Sequence, residues 1–234
     1  QLWWRTGVLM PASIAFVIPV LNEQERIAVL LRYLRRHFPG SELIVVDGGS
    51  GDQTVVRAMP LCDQLLLGEA GRAAQMNLGA SGARADYLCF LHADTLPTVS
   101  PRRFGEYLAD EPDWGFCRVS LSGRRRIFRL IAWFMNQRSA LTRVATGDQM
   151  LFVRRRLFEH TGGFDRIPLM EDVAYSKRLR RLGEPVVVRE PVQTSSRRWE
   201  ERGVVATVLL MWSLRLAYFA GVSPQRLGRL YHAR

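Results

Sequence analysis

The sequence has few cysteines and lacks the segments that mark special classes of protein. Its three cysteines, Cys62, Cys89 and Cys117, have no metal-like spacing, and Cys89 falls within a predicted buried strand. We therefore expect reduced thiols and a cytoplasmic protein. Residues 1–11 are too short for a signal peptide and lack its form. Repeats and low-complexity tracts are also missing, so one domain with a full-sized core is the simplest organisation of these 234 residues.

Short apolar runs rich in β-branched and aromatic residues alternate with helical patterns. The runs are Ser13–Val20, Glu42–Val46, Gln64–Leu67 and Tyr87–Leu91. This alternation predicts an α/β fold with a mostly parallel central sheet and helices on both faces. Asn22 is expected to cap the first helix, with Glu25 completing a capping box. Further helices are expected after Asp52 and from about Gly71 to Ala83.

Two aspartates, Asp47 and Asp94, come just after predicted strands. In open α/β sheets ligands bind beyond the carboxyl ends of the strands, so both are candidate ligand-binding residues. The alternative is that each caps the next helix. The loop Asp47–Asp52 is rich in glycine, which allows a ligand close to the backbone, but it has neither a dinucleotide fingerprint nor a Walker lysine.

A carboxylate pair, Glu171 and Asp172, follows a Pro-containing loop. Together with Asp47 and Asp94 it suggests a nucleotide and metal site with a base nearby. The pair also suits the acidic first turn of a predicted helix, Val173–Leu182, whose basic end complements the helix dipole. Both interpretations can hold at once.

Four motifs occur in a fixed order along the chain: Val17–Glu23, Ile44–Asp52, Leu91–Asp94 and Glu171–Asp172. In this order they resemble the inverting family 2 glycosyltransferases, which have the GT-A fold, and the resemblance spans roughly Ser13 to Val188. Two further segments, Gly71–Ala80 and Thr146–Met150, resemble a small bacterial subgroup associated with radical-SAM enzymes and arsenosugar biosynthesis. The resemblance implies transfer of a sugar from a nucleotide-diphosphate donor to a hydroxyl acceptor, with inversion.

The resemblance also implies roles for individual residues. Asp94 would ligate a divalent metal, Mg²⁺ or Mn²⁺, on the donor diphosphate, since such ions prefer hard oxygen ligands. Asp172 would be the general base that removes the acceptor proton, with Glu171 beside it in the catalytic pair. The residues expected at the donor nucleotide are Pro19, Asn22, Glu23, Asp47, Gly48, Gly49, Ser50, Arg72 and Ala93.

The chain departs from the family pattern at two places. Family members carry Asp-x-Asp or Asp-Asp at the metal, whereas this chain reads His92-Ala93-Asp94, so His92 is either a metal ligand or a hydrogen-bonded structural residue. Processive members carry Gln-x-x-Arg-Trp, but Ser195 stands at the glutamine position before Arg198 and Trp199. A single transfer is therefore expected rather than polymer synthesis.

Several polar residues allow two interpretations. Arg72 opens a predicted helix and could bind phosphate oxygens through its guanidinium, or be an ordinary surface arginine. Gln149 lies in a turn before an apolar strand, where the family places acceptor contacts, and Asp148 could bind the acceptor or serve the turn itself. Arg198 and Trp199 complete the expected acceptor side.

The formal charge of +11 is unevenly distributed, with a net −1 in residues 1–100 and +12 in residues 101–234. Nearly all the cations are arginine, which favours an anionic acceptor or an anionic membrane surface; plain surface charge is the third explanation. We accordingly divide a domain at 13–190 into a nucleotide-binding half, 13–100, and an acceptor half, 101–190. Residues 1–12 form an N-terminal segment and 191–234 a helical C-terminal extension.

Two segments suggest contact with a membrane. Gly123–Met135 combines a basic cluster with aromatic residues on a predicted helix, as interfacial helices do. Val204–Val222 is apolar almost all round, but Thr207, Ser213 and Arg215 interrupt it. Spanning, peripheral docking, and packing on the core or on a homodimer partner all remain open, and a lipid-linked acceptor would suit the docking alternative.

Two other functions compete with glycosyl transfer. A sugar-phosphate nucleotidyltransferase would be expected to show a glycine-rich loop and a lysine in the first turn, and Pro19–Glu23 has neither. A non-enzymatic module for nucleic acid or membrane would suit the arginine-rich second half. We expect no nucleic-acid partner, because the chain lacks a recognised motif and such binding does not explain Asp47, Asp94 and Asp172.

Overall fold

The computed structural model describes residues 12–232, apart from the side chains of Arg198, Arg202 and His232. The predicted N-terminal segment therefore lies almost entirely outside the described residues. An eight-stranded sheet forms the centre of the described part. Its strands are β1 (Ile14–Val20), β2 (Glu42–Asp47), β3 (Gln64–Leu67), β4 (Tyr87–Phe90), β5 (Thr95–Pro97), β6 (Trp114–Leu121), β7 (Leu151–Arg154) and β8 (Val186–Thr194).

The strands lie in the order β3-β2-β1-β4-β7-β6-β8-β5. The first four form a parallel block. β7 is antiparallel to both of its neighbours, β6 and β8 are parallel, and β5 is antiparallel to β8. The predicted α/β fold with a mostly parallel sheet is confirmed: six of the eight strands run in one direction, and β7 and β5 run in the opposite one. Apolar strand patterns do not encode pairing direction, so the reversal at β7 could not be predicted from them.

Helices cover both faces of the sheet, as predicted. They are α1 (Ile27–His37), α2 (Thr54–Ala58), α3 (Arg72–Gly82), α4 (Pro101–Leu108), α5 (Arg126–Thr142), α6 (Arg155–Thr161), α7 (Glu171–Leu179), α8 (Arg197–Arg202), α9 (Val204–Phe219) and α10 (Pro224–His232), with a 3₁₀ turn at Gly147–Gln149. β1 shows why two cores result. Phe16 and Ile18 join one apolar cluster, while Ala15 and Val17 join the cluster on the opposite face.

The predicted cap of α1 is wrong. The helix begins at Ile27, and Arg26 occupies the N-cap position without a capping hydrogen bond from its side chain. Asn22 instead has a left-handed backbone with φ of 55°, and its Oδ1 accepts a hydrogen bond of 2.9 Å from Gly51 N. The amide therefore ties the end of β1 to the glycine-rich loop, a long-range contact that competes with local capping.

The C-terminal extension is helical, as predicted, and α9 has two different faces. Leu214 packs with Met170 and Val173 in a small apolar cluster. The opposite face carries five exposed apolar residues, here called the α9 stripe: Val205, Leu209, Trp212, Leu216 and Phe219. α9 contains 16 residues, and no helix in the part of the chain that the structure describes is long and apolar enough to cross a membrane.

Candidate active site

The candidate site lies at the edge of the sheet where β1, β2 and β4 end. Val20 is in register with Asp47, and Leu91 N, directly after β4, donates to Val17 O. Because β7 runs antiparallel to β4, the 3₁₀ turn that precedes β7 reaches the same edge. The strand-end motifs and this turn are thus brought together by sheet topology.

Asp47 organises the glycine-rich loop. It is 2% exposed, and its Oδ2 accepts hydrogen bonds of 2.9 Å from both Gly49 N and Ser50 N, while Ser50 Oγ donates to its Oδ1. It does not cap α2, because Thr54 N at the start of that helix donates to Asp52 Oδ1. Asp47 therefore fixes the loop shape that faces the site edge.

Gln75 in α3 is a structural member of the site. Its side chain is 3% exposed, and Nε2 donates hydrogen bonds of 2.8 Å to Val20 O and Val46 O at the ends of β1 and β2. A Cβ at Gly48 would lie 3.0 Å from its carboxamide. Position 48 therefore favours glycine, because the side chain of Gln75 packs against it.

His92 packs against the 3₁₀ turn. A Cβ at Gly147 would lie 2.5 Å from the imidazole Cε1, so only glycine fits there. His92 Nδ1 lies 3.7 Å from Asp148 Oδ1. The ring thus joins the end of β4 to the turn, which agrees with the structural interpretation of this histidine, and Asp148 has an electrostatic partner within the turn region.

The predicted base, Asp172, lies in the first turn of α7 and is held by the same 3₁₀ turn. Its Oδ2 accepts a hydrogen bond of 2.6 Å from Gly147 N, and its Oδ1 accepts one of 2.7 Å from Val173 N. The acidic first turn predicted for this helix is confirmed. Gly147 consequently contacts both His92 and Asp172, and it brings the two segments into one site.

Glu171 beside it is 6% exposed. Burial and the negative charge of Asp172 raise the pKa of Glu171, while electrostatic interactions with Arg72 and His92 oppose that rise. Arg72, exposed at the start of α3, therefore lies near the carboxylate pair. Its guanidinium and the free N–H groups of the helix start can together attract an anionic ligand.

Asp94 remains the carboxylate best suited to a metal. It is half-buried, and its Oδ1 accepts a long hydrogen bond of 3.3 Å from Thr95 Oγ1. No group of three metal-ligating side chains occurs among residues 12–232 as described. A single carboxylate such as that of Asp94 fits a divalent cation when a diphosphate and water supply most of its oxygen ligands.

Residues 15–130 match the family model for glycosyl transferase family 2. The chain contains a domain of this family. The match includes Pro19, Asp47 and Asp94 but ends before Asp172. No curated protein sequence matches the chain at a significant level.

Solved structures of glycosyltransferases share the fold of this family 2 chain. TarS 1–349 from S. aureus in complex with UDP has a TM-score of 0.62 at 15% identity over 78% of this chain, which spans 60% of the TarS chain. A mannosyltransferase from Pyrobaculum calidifontis, in complex with GDP-Man and Mn²⁺, has a TM-score of 0.57 at 22% identity and coverages of 79% and 56%. Glucosyl-3-phosphoglycerate synthase from Mycobacterium tuberculosis, with Mn²⁺, UDP and glucosyl-3-phosphoglycerate, gives 0.55 at 19% identity and coverages of 82% and 77%.

Gln149 does not face an acceptor in this family 2 chain. Its side chain is fully buried, and its Oε1 accepts hydrogen bonds from Ser139 Oγ at 2.7 Å and from Thr146 N at 3.1 Å. Its Nε2 donates to Cys117 O at 3.4 Å. The carboxamide is enclosed by these partners, so Gln149 braces the 3₁₀ turn that holds Asp172, and its predicted acceptor contact is corrected.

The other predicted acceptor residues follow β8. Thr194 at the end of β8 accepts a hydrogen bond of 3.0 Å from Thr95, the neighbour of Asp94, so the end of β8 lies close to the segment that contains Asp94. Trp199 lies in α8 and is half-buried. The side chain of Arg198 lies outside the described residues.

Sequence reasoning missed two arginines near the carboxylates. The negative charges of Asp172 and Asp148 act on both Arg138 in α5 and Arg215 in α9. The one available signal was Arg215, the single charged residue in the apolar stretch Val204–Val222. A charged residue on a largely apolar helix indicates a specific polar partner for that residue.

Proposed function

We propose that the protein is a glycosyltransferase that moves one sugar from a nucleotide-diphosphate donor to a hydroxyl acceptor with inversion. The observation that carries this proposal is the meeting of His92 and Asp172 at Gly147. It brings the segment that contains Asp94 next to a carboxylate on a helix start, within a family 2 domain. The two neighbouring structures named above that hold Mn²⁺ and a nucleotide or nucleotide sugar support the same assignment.

Each group of residues has a separate role in this reaction. Pro19, Glu23 and the loop shaped by Asp47 hold the nucleoside, and Asp94 provides the protein oxygen for a divalent cation. Such a cation, when bound, offsets the charge that develops on the leaving diphosphate. Asp172 takes the proton from the acceptor hydroxyl as that oxygen attacks the anomeric carbon from the face opposite the diphosphate, which inverts the configuration.

The hydrogen bonds of Asp172 suit a base. Backbone N–H groups of Gly147 and Val173 fix the orientation of the carboxylate, and fixed orientation raises the effective concentration of a catalytic group. Burial and the charge of Asp172 raise the pKa of Glu171, whereas two backbone N–H groups hold the carboxylate of Asp172. We therefore assign Asp172 rather than Glu171 as the base. Ser195 in place of glutamine supports a single transfer, and the radical-SAM-associated subgroup stays a prediction.

We also propose peripheral attachment to an anionic membrane surface. The α9 stripe exposes large apolar side chains, with Trp212 at 64% exposure. Trp133 and Phe134 on α5 are exposed as well, behind the basic start of that helix. Apolar side chains beside arginines are typical of interfacial helices. The competing occupant of the stripe is a second copy of the chain.

A donor screen tests the proposed function. UDP-, GDP- and dTDP-sugars are offered with and without Mn²⁺, and binding is followed by ligand-detected NMR. One donor should bind, and Mn²⁺ should tighten it. Asp94→Asn should remove the effect of Mn²⁺, whereas Asp110→Asn, an exposed control at the end of α4, should keep it. Absence of binding to every nucleotide sugar in the presence of Mn²⁺ would overturn the proposal.

A further inference from the structure

Arg138 lies next to the candidate base through a short series of hydrogen bonds. Its Nη2 donates to Ser139 Oγ at 3.0 Å, and Ser139 Oγ donates to Gln149 Oε1 at 2.7 Å. Gln149 belongs to the same 3₁₀ turn whose Gly147 N holds Asp172. α5 therefore presents a half-buried guanidinium to the side of the site formed by this turn.

Arg215 reaches the same place from α9. The preceding residue, Leu214, is 3% exposed and packs with Met170 and Val173, which flank the carboxylate pair on both sides. This contact fixes α9 against the start of α7 and leaves Arg215 half-buried beside Asp172. Two helices far apart in sequence thus each contribute one arginine.

The two arginines have more hydrogen-bonding capacity than the described residues use. A guanidinium has five N–H donors. Neither Arg138 nor Arg215 forms an ion pair among the described residues, and the hydrogen bond to Ser139 is the only one found there for the pair. Burial and the positive charge of Arg215 lower the pKa of Arg138 to about 10, with Asp172 opposing. Asp172 and Asp148 offset the charge of the two cations, but among the described residues most of the guanidinium N–H donors are left for an anionic ligand.

We propose that Arg138 and Arg215 form an anion subsite that binds a phosphate or carboxylate group of the acceptor. Guanidinium groups match both anions through paired hydrogen bonds. An anion held between them places the remainder of the acceptor beside Asp172, with its hydroxyl within reach of the base. This inference rests on the proposed function, since it assigns the acceptor class of the same site.

The position of the arginines assigns the anion to the acceptor rather than to the donor. Arg72, at the start of α3, acts on Glu171, and it lies with the strand-end motifs that are proposed to hold the donor. Arg138 and Arg215 act on Asp172 from the side of the 3₁₀ turn and α9. One arginine from α3 thus acts on Glu171, and two arginines from other helices act on Asp172.

Titration with inorganic phosphate, followed by ³¹P NMR and by thermal unfolding, tests the subsite. Phosphate should bind the wild-type protein with UDP and Mn²⁺ already present, and it should raise the midpoint of unfolding. Arg138→Gln and Arg215→Gln should each weaken phosphate binding at least about tenfold. The exposed controls Arg129→Gln on α5 and Arg226→Gln on α10 should bind phosphate as the wild type does.

Stability separates a ligand-binding role from a structural one. Removing one of two repelling cations should leave the midpoint of Arg215→Gln unchanged or raise it, whereas a structural arginine would lower it. If a glutamine variant does not fold, Arg138→Lys and Arg215→Lys provide the test instead. Lysine keeps the positive charge but lacks the paired donors of a guanidinium, so these variants should still bind phosphate more weakly. Wild-type protein that ignores phosphate, or a lysine variant that binds as the wild type does, overturns the subsite.

Nucleotide binding, measured on the same variants, distinguishes this inference from the proposed function. UDP with Mn²⁺ should bind the glutamine variants as it binds the wild type. Phosphate that is displaced by UDP would assign the arginines to the donor diphosphate and overturn the acceptor assignment. Phosphate binding without any nucleotide-sugar binding would keep the anion subsite and refute the donor.

Discussion

Gly147 is the residue at which the separate parts of the site meet. Its N–H orients Asp172, and its missing side chain leaves room for His92. Asp47 and Gln75 act similarly at the ends of β1 and β2, where each satisfies backbone groups of a strand end or loop. At the scale of single residues, the site is therefore built by hydrogen bonds that fix the backbone, and few of its polar side chains point freely outward.

Asp172→Asn tests the base. Asparagine keeps an oxygen that can accept the hydrogen bond from Gly147 N, so the turn should survive. Turnover should fall by about 10²- to 10⁴-fold, the usual share of general acid–base catalysis, with donor affinity nearly unchanged. Steady-state rates and calorimetry measure the two effects. A sugar product with retained anomeric configuration would contradict direct displacement.

The raised pKa of Glu171 predicts a pH dependence of the protein's stability. Its raised pKa means that the folded protein holds this proton more tightly than the unfolded chain does. Its contribution to stability is therefore present at low pH and is lost as pH rises from the ordinary glutamate value of 4.5 through the raised value. Glu171→Gln should reduce this loss. Urea unfolding at a series of pH values measures it, with exposed Glu159→Gln as control; an unchanged pH dependence would contradict it.

At the scale of elements, α3 fixes the parallel block of the sheet to the site. Its Gln75 bonds the ends of β1 and β2, and Asn77 exchanges two hydrogen bonds with Phe164 in the loop that leads to α7. One helix thus joins the strand-end motifs to the loop before Glu171 and Asp172. Changes within α3 should affect stability before they affect chemistry.

Gln75→Leu should lower the free energy of unfolding by about 1–3 kcal/mol, because two buried carbonyl groups lose a donor. Denaturant unfolding gives the value. Gln53→Leu at the exposed start of α2 is the matched control, with an expected change within about 0.5 kcal/mol. Equal effects of the two substitutions would show that the carboxamide of Gln75 contributes no special stability.

At the scale of the whole molecule, the arginine-rich second half and the α9 stripe predict salt-dependent membrane binding. The protein should sediment with anionic vesicles at low salt and be released at high salt, since attraction of about 1 kcal/mol per basic residue is screened within a Debye length. A Leu209→Glu, Leu216→Glu double variant of the stripe should stay in the supernatant. Leu182→Glu, exposed elsewhere, should still sediment.

Two other outcomes of the vesicle experiment are informative. Wild-type protein that remains in the supernatant at low salt would refute membrane docking. If it then elutes as a dimer that the stripe variant cannot form, the stripe is an interface between two copies. Protein that resists both salt and carbonate would require an inserted segment, which the described helices do not provide.

The sequence by itself determined the features that depend on local patterns. The first four strands, α2, α3 and the acidic start of α7 follow from hydrophobic periodicity and from charge near helix ends. Asp47 at the end of β2 and Asp94 after β4 reach one edge because parallel strands end together. That much of the site followed from the order of elements. The family domain found at residues 15–130 agrees with these motifs.

Only the tertiary structure decided the features whose partners are distant in sequence. Asn22 accepts a hydrogen bond from Gly51 instead of capping α1, and the side chain of Gln149 is enclosed by Ser139 and Cys117. β7 runs antiparallel to β4, against the direction of the first four strands. Arg215 comes next to Asp172 only when α9 packs on α7. Periodicity records which face of an element is buried, but not which element covers it, so these polar contacts arise from packing that local patterns do not encode.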